Sequence, residues 1–413
     1  MAALLYDPRK AETTADPYAI FDVLRATDPV HWSLVLRGWV LTRYADVRAA
    51  LFDPRLSADR ITPFVSSLSA EKRDYLSGLE RVLTNWAVFV DPPAHTRLRA
   101  LINKAFTPRA IASLSGMIRE IVDGLIDDFI ARAARDGEGR IDLIADFSYP
   151  LPALVIARIL GVPDEDIRLF KGWSDDLAAF VGSAQATPDK YERAARGAAE
   201  MDAYFRAIVR DRRAKPPRGD VIGALVAAEE AGRALSEDEL VGTAVLVLFA
   251  GHETTANLIG NGMIALLRQP DALHLLRDRP ELAETAVEEL LRIDSPAASV
   301  TRIARDDMVL GGKAIRAGDR LFLMINAANR DPAVFPDPDR LDLARDPNPH
   351  VAFGYGPHYC VGAPLARLEA QIAFARLLAR LERIELANEP LEWSDNLVLR
   401  GVKRLPLAVR TAG

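Results

Sequence analysis

The only cysteine of this 413-residue chain lies in a short glycine-rich segment near its carboxyl end. Cys360 follows two closely spaced glycines and His358, and a helical pattern with Pro364 in its first turn begins just after it. The glycines predict a tight loop, and the proline is typical of a helix start. Unpaired amides at a helix start favour a thiolate, which is a strong soft metal ligand. The segment predicts either a ligating sulfur or, as for most lone cytosolic cysteines, a small buried hydrophobe.

A second chemically unusual segment, residues 250–255, reads Ala-Gly-His-Glu-Thr-Thr in the middle of a long helical pattern. An interior glycine costs about 1 kcal/mol relative to alanine, and a carboxylate such as Glu253 is costly to bury. Thr254 lies four residues after Ala250, so its hydroxyl can bond back to that carbonyl and open a groove in the helix. The segment predicts either a kink filled by polar side chains and water, or a catalytic groove.

Three further groups carry charge or hydrogen-bond donors at defined spacings. His95 and Arg99 share one helical face, which is either a solvated surface or a donor pair. Glu289 and Arg292 are spaced i, i+3, which alone indicates a surface ion pair. Arg302 lies in an extended segment, where a single arginine is most often exposed. None of these signals is specific by itself.

Taken together, these segments resemble the cytochrome P-450 family. Residues 353–362, with the pattern Phe-Gly-x-Gly-x-His-x-Cys-x-Gly, resemble its haem-ligating loop, and residues 250–255 resemble its oxygen-binding helix segment. The resemblance implies that Cys360 is the axial thiolate of a haem b, a ligand that favours cleavage of the O–O bond. It implies that Thr254 and Glu253 deliver protons during oxygen activation, and it gives His252 no catalytic role.

The same resemblance assigns the remaining site residues. The implied cofactor-binding residues are His95, Arg99, Ala250, Arg302, Phe353, His358 and Cys360. A buried Glu-Arg-Arg cluster that holds the cysteine loop is assigned to Glu289, Arg292 and Arg340. The residues expected to line the substrate pocket are Leu246, Phe249, Ala298, Val300 and Val398. These last positions are apolar, so a fatty acid, terpenoid, steroid or polyketide would fit equally well.

The resemblance implies a haem-thiolate monooxygenase that inserts one oxygen atom from O₂ into an apolar small molecule. No flavin or nicotinamide motif is present, so electrons are expected from NAD(P)H through a ferredoxin reductase and a ferredoxin. We expect the ferredoxin to dock near Arg97, Arg109 and Arg367 on the cysteine side. A peroxide-driven peroxygenase and a non-catalytic haem-based carrier or sensor are the alternatives, and the Glu253-Thr254 pair favours O₂ activation over both.

The elements that must position these residues are mainly helices. A capping box at Ser236 opens a helical pattern that continues to Arg268, and its first half is apolar nearly all round, as in a buried central helix. Shorter helices and hairpins surround it, which predicts a mainly α protein with small β-sheets (α+β). The resemblance implies the cytochrome P-450 fold, with haem between the central helix and the cysteine-loop helix. We expect residues 1–413 to form a single domain.

Composition narrows the cellular setting. The formal net charge of -6 argues against nucleic acid as a partner. One cysteine cannot form a disulfide within the chain, which suits the cytoplasm. No apolar run at the amino terminus is long enough for a signal peptide or a membrane anchor, so a soluble cytoplasmic protein is expected.

Residues 182–188 form a loop that could act as a hinge over a cavity or be an ordinary helix connection.

Overall fold

The computed structural model describes residues 6–136, 139–182, 189–215, 219–230 and 235–411, so most of the predicted loop at 182–188 lies outside the described residues. Helices dominate, as predicted. The helices are α1 (Ala11–Ala15), α2 (Tyr18–Thr27), α3 (Tyr44–Phe52), α4 (Ile61–Ser66), α5 (Ala70–Tyr75), α6 (Ser77–Leu83), α7 (Ala94–Ala105), α8 (Pro108–Ser113), α9 (Ser115–Asp136), α10 (Pro150–Leu160), α11 (Ile167–Gly182), α12 (Lys190–Ala214), α13 (Val221–Glu230), α14 (Glu237–Arg268), α15 (Pro270–Asp278), α16 (Ala283–Ile293), α17 (Ile325–Ala328) and α18 (Ala363–Arg380). The strands are β1 (Val30–Ser33), β2 (Gly38–Leu41), β3 (Leu56–Ser57), β4 (Arg140–Asp142), β5 (Ser299–Ala304), β6 (Met308–Leu310), β7 (Lys313–Ile315), β8 (Arg320–Met324), β9 (Leu381–Leu386) and β10 (Pro406–Thr411).

Helix α14 crosses the centre of the molecule. Its 32 residues begin with the predicted capping box, in which Ser236 and Glu239 each accept from the other's backbone N–H. At 1.5 Å per residue the helix is about 48 Å long. It packs against α10, α12, α16 and α18. A Cβ on Gly251 would lie 2.5 Å from Ile156 Cδ1, so the glycine permits the close approach of α10.

The strands form small sheets at the periphery of this helical body. One sheet has the order β1-β2-β8-β5-β3, with β2 and β8 parallel and the other pairs antiparallel. A second has the order β4-β10-β9, and β6 and β7 form a hairpin. In β5 the residues Val300 and Arg302 pair with Leu323 and Leu321 of β8. This pairing fixes the strand that carries two of the predicted site residues.

The central helix ends at Arg268, where its sequence pattern ends. Pro270 then opens α15, because a proline fits the first turn of a helix as well as it ends the preceding one. Helices α8 and α9 are separated at Leu114. The largest apolar core extends from Ile61 to Leu407. In the described part of the chain, no helix is both long and apolar enough to cross a membrane.

Candidate active site

The cysteine loop takes its shape from two glycines in the left-handed region. Gly354 has φ 75° and Gly356 has φ 76°, values that disfavour residues with a Cβ. The amide of Cys360 donates to the carbonyl of Phe353 at 2.9 Å and closes the loop ahead of α18. Burial raises the pKa of the Cys360 thiol, while the amides of Gly362 and Ala363 and the charge of Arg99 oppose that shift. The amides at the helix start therefore favour negative charge on the sulfur, but burial outweighs them here.

A cavity of about 370 Å³ separates this loop from α14. Cys360 and Phe353 line one side, and Ala250, Gly251 and Thr254 line the other. Four of the five residues expected at the substrate pocket also line it: Leu246, Phe249, Val300 and Val398. The cavity thus brings together the two segments that the sequence singled out.

Ala298 is the exception and corrects the prediction for this strand. Its neighbours Ala297 and Ser299 line the cavity, whereas Ala298 is not among the lining residues described. The Ala298 amide donates to the Val398 carbonyl at 2.8 Å, and its own carbonyl accepts from the Asn326 amide at 3.3 Å. These backbone bonds hold Ala298 between two neighbouring segments, so the strand presents other residues to the cavity.

Two arginines and two histidines gather at one edge of the cavity. Arg99 donates to the carbonyl of Tyr359, and Arg302 donates to the carbonyl of Thr301 at 3.0 Å. Among the described residues, neither guanidinium pairs with a carboxylate. The ring centroids of His95 and His358 are 4.0 Å apart. One buried and one half-buried guanidinium, neither paired with a carboxylate in the described part of the chain, make this edge suitable for a ligand with negative charges.

Both histidines at this edge are neutral near pH 7. Burial lowers the pKa of His358 to about 3, and the charge of Arg302 adds to the shift. Burial and the charge of Arg99 lower the pKa of His95. A neutral imidazole still donates one hydrogen bond through its N–H. The pair therefore adds donors to the edge without adding charge.

The groove segment of α14 has the geometry that the sequence predicted. Thr254 Oγ1 donates to the Ala250 carbonyl at 2.9 Å. Oε2 of Glu253 is buried and has no hydrogen-bond partner. Burial raises the pKa of Glu253 to about 8, with the charge of Asp175 adding to the shift and that of Lys171 opposing it. Glu253 is therefore largely protonated at neutral pH.

Two charged groups at the protein surface act electrostatically on Glu253. Lys171 and Asp175 form an ion pair of 2.9 Å on α11, and both side chains are about half exposed. His252 Nδ1 lies 2.6 Å from the Leu248 carbonyl. Burial lowers the pKa of His252 to about 4, and a carbonyl only accepts, so the neutral ring carries its proton on Nδ1. His252 is thus fixed in one tautomer beside the acid.

The buried ion-pair cluster exists, but one of its predicted members is wrong. Glu289 pairs with Arg292 at 2.7 Å, and both side chains are fully buried. The second arginine is Arg345, whose Nε lies 3.1 Å from both carboxylate oxygens. Arg340 has an exposed side chain and contributes only its carbonyl, which accepts from Arg292 at 3.2 Å. The chain turns between residues 340 and 345, so the later arginine returns to the carboxylate.

A second ion-pair cluster, which the sequence did not predict, braces the cysteine loop from α18. Arg367 Nε lies 2.6 Å from Glu288, and His350 Nε2 lies 3.0 Å from the same carboxylate. Arg367 also donates to the Tyr359 hydroxyl at 3.2 Å and lies over the Phe353 ring at 4.6 Å. The sequence did contain a sign of this second cluster, namely the two adjacent acids Glu288 and Glu289. Adjacent side chains on a helix point in different directions, so the two acids cannot share one partner.

One wall of the cavity is tied to the end of α11. The amide of Leu397 donates to the Gly182 carbonyl at 2.8 Å, and Asn396 Nδ2 donates to the Ala178 carbonyl at 3.2 Å. The Asn396 carboxamide oxygen also accepts from the amide of Val398 at 2.9 Å. The turn that presents Val398 to the cavity is thereby bonded to the last turn of α11.

A central helix with a polar groove, facing a cysteine loop at a helix start, defines the fold and site of a haem-thiolate oxidoreductase. The Cytochrome P450 family profile matches residues 69–279 and 276–400. The chain belongs to the cytochrome P450 family and is a P450 monooxygenase with a haem-thiolate cofactor.

Three relatives illustrate the similarity. The cytochrome P450 monooxygenase PikC of Streptomyces venezuelae is 41% identical, covering 96% of this chain and 92% of its own. The structure of a myxobacterial cytochrome P450 in complex with myristic acid is 42% identical, has a TM-score of 0.88 and covers 97% of this chain and 98% of its own. That of P450BioI in complex with hexadec-9Z-enoic acid ligated acyl carrier protein is 36% identical, with a TM-score of 0.88 and coverages of 97% and 99%.

The described residues fit a haem. Haem is a flat apolar ring with two carboxylate groups and a metal, and the cavity offers an apolar lining, one sulfur and two unpaired guanidinium groups at its edge. The sulfur lies against α18, and the guanidinium groups of Arg99 and Arg302 match the two carboxylates in number. The chemistry of this donor set is thus that of a haem-thiolate pocket.

Proposed function

We propose that the enzyme inserts one atom of O₂ into an apolar small organic molecule, by C–H hydroxylation or epoxidation. The electrons come from NAD(P)H through a ferredoxin reductase and a ferredoxin. The observation that carries the proposal is that Cys360 and Thr254 face one apolar cavity from opposite sides, with the buried acid Glu253 next to Thr254 in α14. A thiolate on one side and a protonated acid beside an alcohol on the other are the groups that oxygen activation needs.

The cofactor in this proposal is haem b. Cys360 would ligate its iron, and Phe353 and Ala250, which line the same cavity, would pack against the haem. His95, Arg99, Arg302 and His358 would bind the propionates, because they are the only guanidinium and imidazole groups of the described lining apart from Arg60. When bound, the haem supplies the redox chemistry that activates O₂ and oxidises the substrate.

The protein residues then control protons and water. Thr254 gives its hydroxyl hydrogen to Ala250, so the oxygen's lone pairs are free to accept from a water in the cavity. Glu253 holds a proton at neutral pH, one residue from Thr254. The Lys171–Asp175 pair is close enough to shift the pKa of Glu253 and is open to solvent, so it can resupply that proton.

The substrate is an apolar molecule that fills the space between α14, β5 and the turn at Val398. The fatty acyl chains in the structures of the two solved relatives have this character. Leu246, Phe249 and Val300 supply an apolar surface here that would exclude water from such a chain.

The test is the absorption difference spectrum of the reduced protein with and without carbon monoxide. A strongly red-shifted Soret band is expected in the wild-type protein and not in Cys360→Ala. A band at the position of histidine-ligated haem in folded wild-type protein would overturn the thiolate assignment. Product formation with NAD(P)H, ferredoxin reductase and ferredoxin under O₂, compared with peroxide alone, then separates a monooxygenase from a peroxygenase.

A further inference from the structure

The apolar cavity contains a third guanidinium group. Arg60, the residue before α4, is half-buried and lines the cavity. Its guanidinium carbon lies 4.7 Å from the centroid of the Phe89 ring. Its Nη1 donates to Thr301 Oγ1 at 3.4 Å, which is long for a hydrogen bond. Most of the N–H donors of Arg60 are therefore left to the cavity.

Two acids that belong to or contact this segment, Asp59 and Asp91, have other partners. Asp59 Oδ1 accepts from the amides of Ile61 and Thr62 at 3.1 and 3.0 Å and caps α4. Asp91 accepts from Ser57 and pairs with Arg305 at 2.6 Å. Within the described ranges, no carboxylate pairs with Arg60.

Even when a haem is bound, its two carboxylates leave the positive charge of Arg60 without a partner. The two propionates of a haem are matched in number by the guanidinium groups of Arg99 and Arg302, which line the same cavity from α7 and β5. Burial and the charge of Arg302 lower the pKa of Arg60 to about 10, so it remains protonated at neutral pH. A guanidinium held away from bulk water is costly without a counter-ion. With both propionates matched, Arg60 is left without a carboxylate partner among the described residues.

We propose that Arg60 binds the carboxylate of the substrate, and that the substrate is an elongated apolar carboxylic acid. This inference rests on the proposed function and narrows its substrate class. Arginine matches a carboxylate with two parallel hydrogen bonds, and the pair is strong where water is excluded. The Phe89 ring holds one face of the guanidinium, so its donor edge is left for the ligand. The hydrocarbon body then lies along the apolar lining formed by Trp86, Phe249 and Val398.

Arg60 is thus a specificity residue that fixes one end of the substrate. With the carboxylate held at Arg60, the oxidised carbon lies at a set distance along the chain. The position of oxidation should then be counted from the carboxyl end and stay constant as the chain is lengthened. An enzyme that binds its substrate only by apolar contacts would instead give a mixture of positions.

The test compares acids and alcohols of the same length. The haem-loaded wild-type and Arg60→Gln proteins are titrated with saturated fatty acids and the matching primary alcohols, from octyl to hexadecyl, and the haem spin-state change reports binding. At the chain length that binds best, Arg60→Gln should weaken acid binding about 10- to 100-fold and leave alcohol binding within about twofold. Arg60→Lys should retain part of the acid preference, and the exposed Arg55→Gln control should retain all of it.

The outcomes separate this inference from the function on which it rests. A wild-type protein that prefers no acid over its alcohol at any length overturns the carboxylate proposal, as does an unchanged acid-to-alcohol ratio in Arg60→Gln. If Arg60→Gln loses haem or changes the carbon monoxide spectrum, Arg60 binds a propionate and the proposal also fails. Each of these results leaves the monooxygenase assignment intact. Only a wild-type protein without the red-shifted carbon monoxide band would remove that assignment.

Discussion

The hydroxyl of Thr254 is bonded to the carbonyl of Ala250, 2.9 Å away and one turn earlier in α14. Both residues line the cavity. The hydrogen bond directs the Ala250 carbonyl toward the Thr254 side chain. The helix thus presents a hydroxyl oxygen, with free lone pairs, where the cysteine faces it across the cavity.

Replacing this hydroxyl should uncouple electron use from product formation. In Thr254→Ala, product formed per NAD(P)H should fall about tenfold or more, with the missing electrons recovered as peroxide, because the water that carries the proton loses its acceptor. Thr254→Ser retains the hydroxyl and should stay near wild type. Simultaneous assays of NAD(P)H, product and peroxide measure the effect. Equal yields in Thr254→Ala and Thr254→Ser would rule out the proton-delivery role.

The raised pKa of Glu253 should make the free energy of unfolding depend on pH. Burial raises the pKa of Glu253 from 4.5 to about 8, so between these values the folded state binds more protons than the unfolded state. Rising pH then favours unfolding. The wild-type protein should lose stability relative to Glu253→Gln by up to ~1.4 kcal/mol per pH unit from about pH 5 to pH 8.

Urea unfolding of the haem-free protein across this pH range measures the difference. The exposed Glu71→Gln serves as the control and should run parallel to wild type. If the gap between wild type and Glu253→Gln stays constant with pH, the carboxyl group is not held protonated by its surroundings.

The corrected ion-pair cluster predicts unequal effects for two neighbouring arginines. Arg345→Ala removes one of the cations beside a fully buried carboxylate and should lower the free energy of unfolding by about 3 kcal/mol. Arg340→Ala removes an exposed side chain but leaves the carbonyl that Arg292 uses, so a change within ~0.5 kcal/mol is expected. Chemical denaturation compares the two. A larger loss for Arg340→Ala would restore the original assignment.

The structure also determines which arginine can test the predicted ferredoxin site. Arg97 pairs with Glu239, and Arg367 braces the cysteine loop through Glu288, so reversing either charge would also break an internal contact. Arg109 is exposed at the start of α8, which packs on α18. Arg109→Glu should slow reduction by the ferredoxin about threefold or more, and less so at high salt.

Stopped-flow reduction kinetics at several salt concentrations give this comparison. Arg73→Glu, an exposed reversal on α5, is the matched control and should reduce at the wild-type rate. If the two variants behave alike, the ferredoxin docks elsewhere.

The parts of the site that sequence could predict are those encoded by local spacing. The cysteine loop needs two positive-φ residues before the sulfur, the groove needs a threonine four residues after Ala250, and the capping box needs Ser236 and Glu239. Each pattern spans less than two helical turns, so the chain path does not alter it.

The features that the sequence could not predict depend on how segments far apart in the chain come together in the fold. Arg340 and Arg345 are equally plausible partners for Glu289 until the turn between them is known, and that turn selects Arg345. Ala298 is absent from the described lining, and its amide is bonded to the carbonyl of Val398, a hundred residues later. Arg60 lies in a polar segment with no distinctive pattern. Only the structure shows that its guanidinium group packs on the Phe89 ring and has no carboxylate partner among the described residues.

The bond between the amide of Leu397 and the carbonyl of Gly182 couples the position of the end of α11 to that of the turn at Val398. Displacing the end of α11 must pull the turn that presents Val398, so a route opened there also reshapes the wall against a bound molecule. By reciprocity, a ligand that fills the space beside Val398 holds the end of α11 in place. Tight-fitting molecules would therefore slow their own departure, and the enzyme would discriminate among them by residence time as well as by affinity.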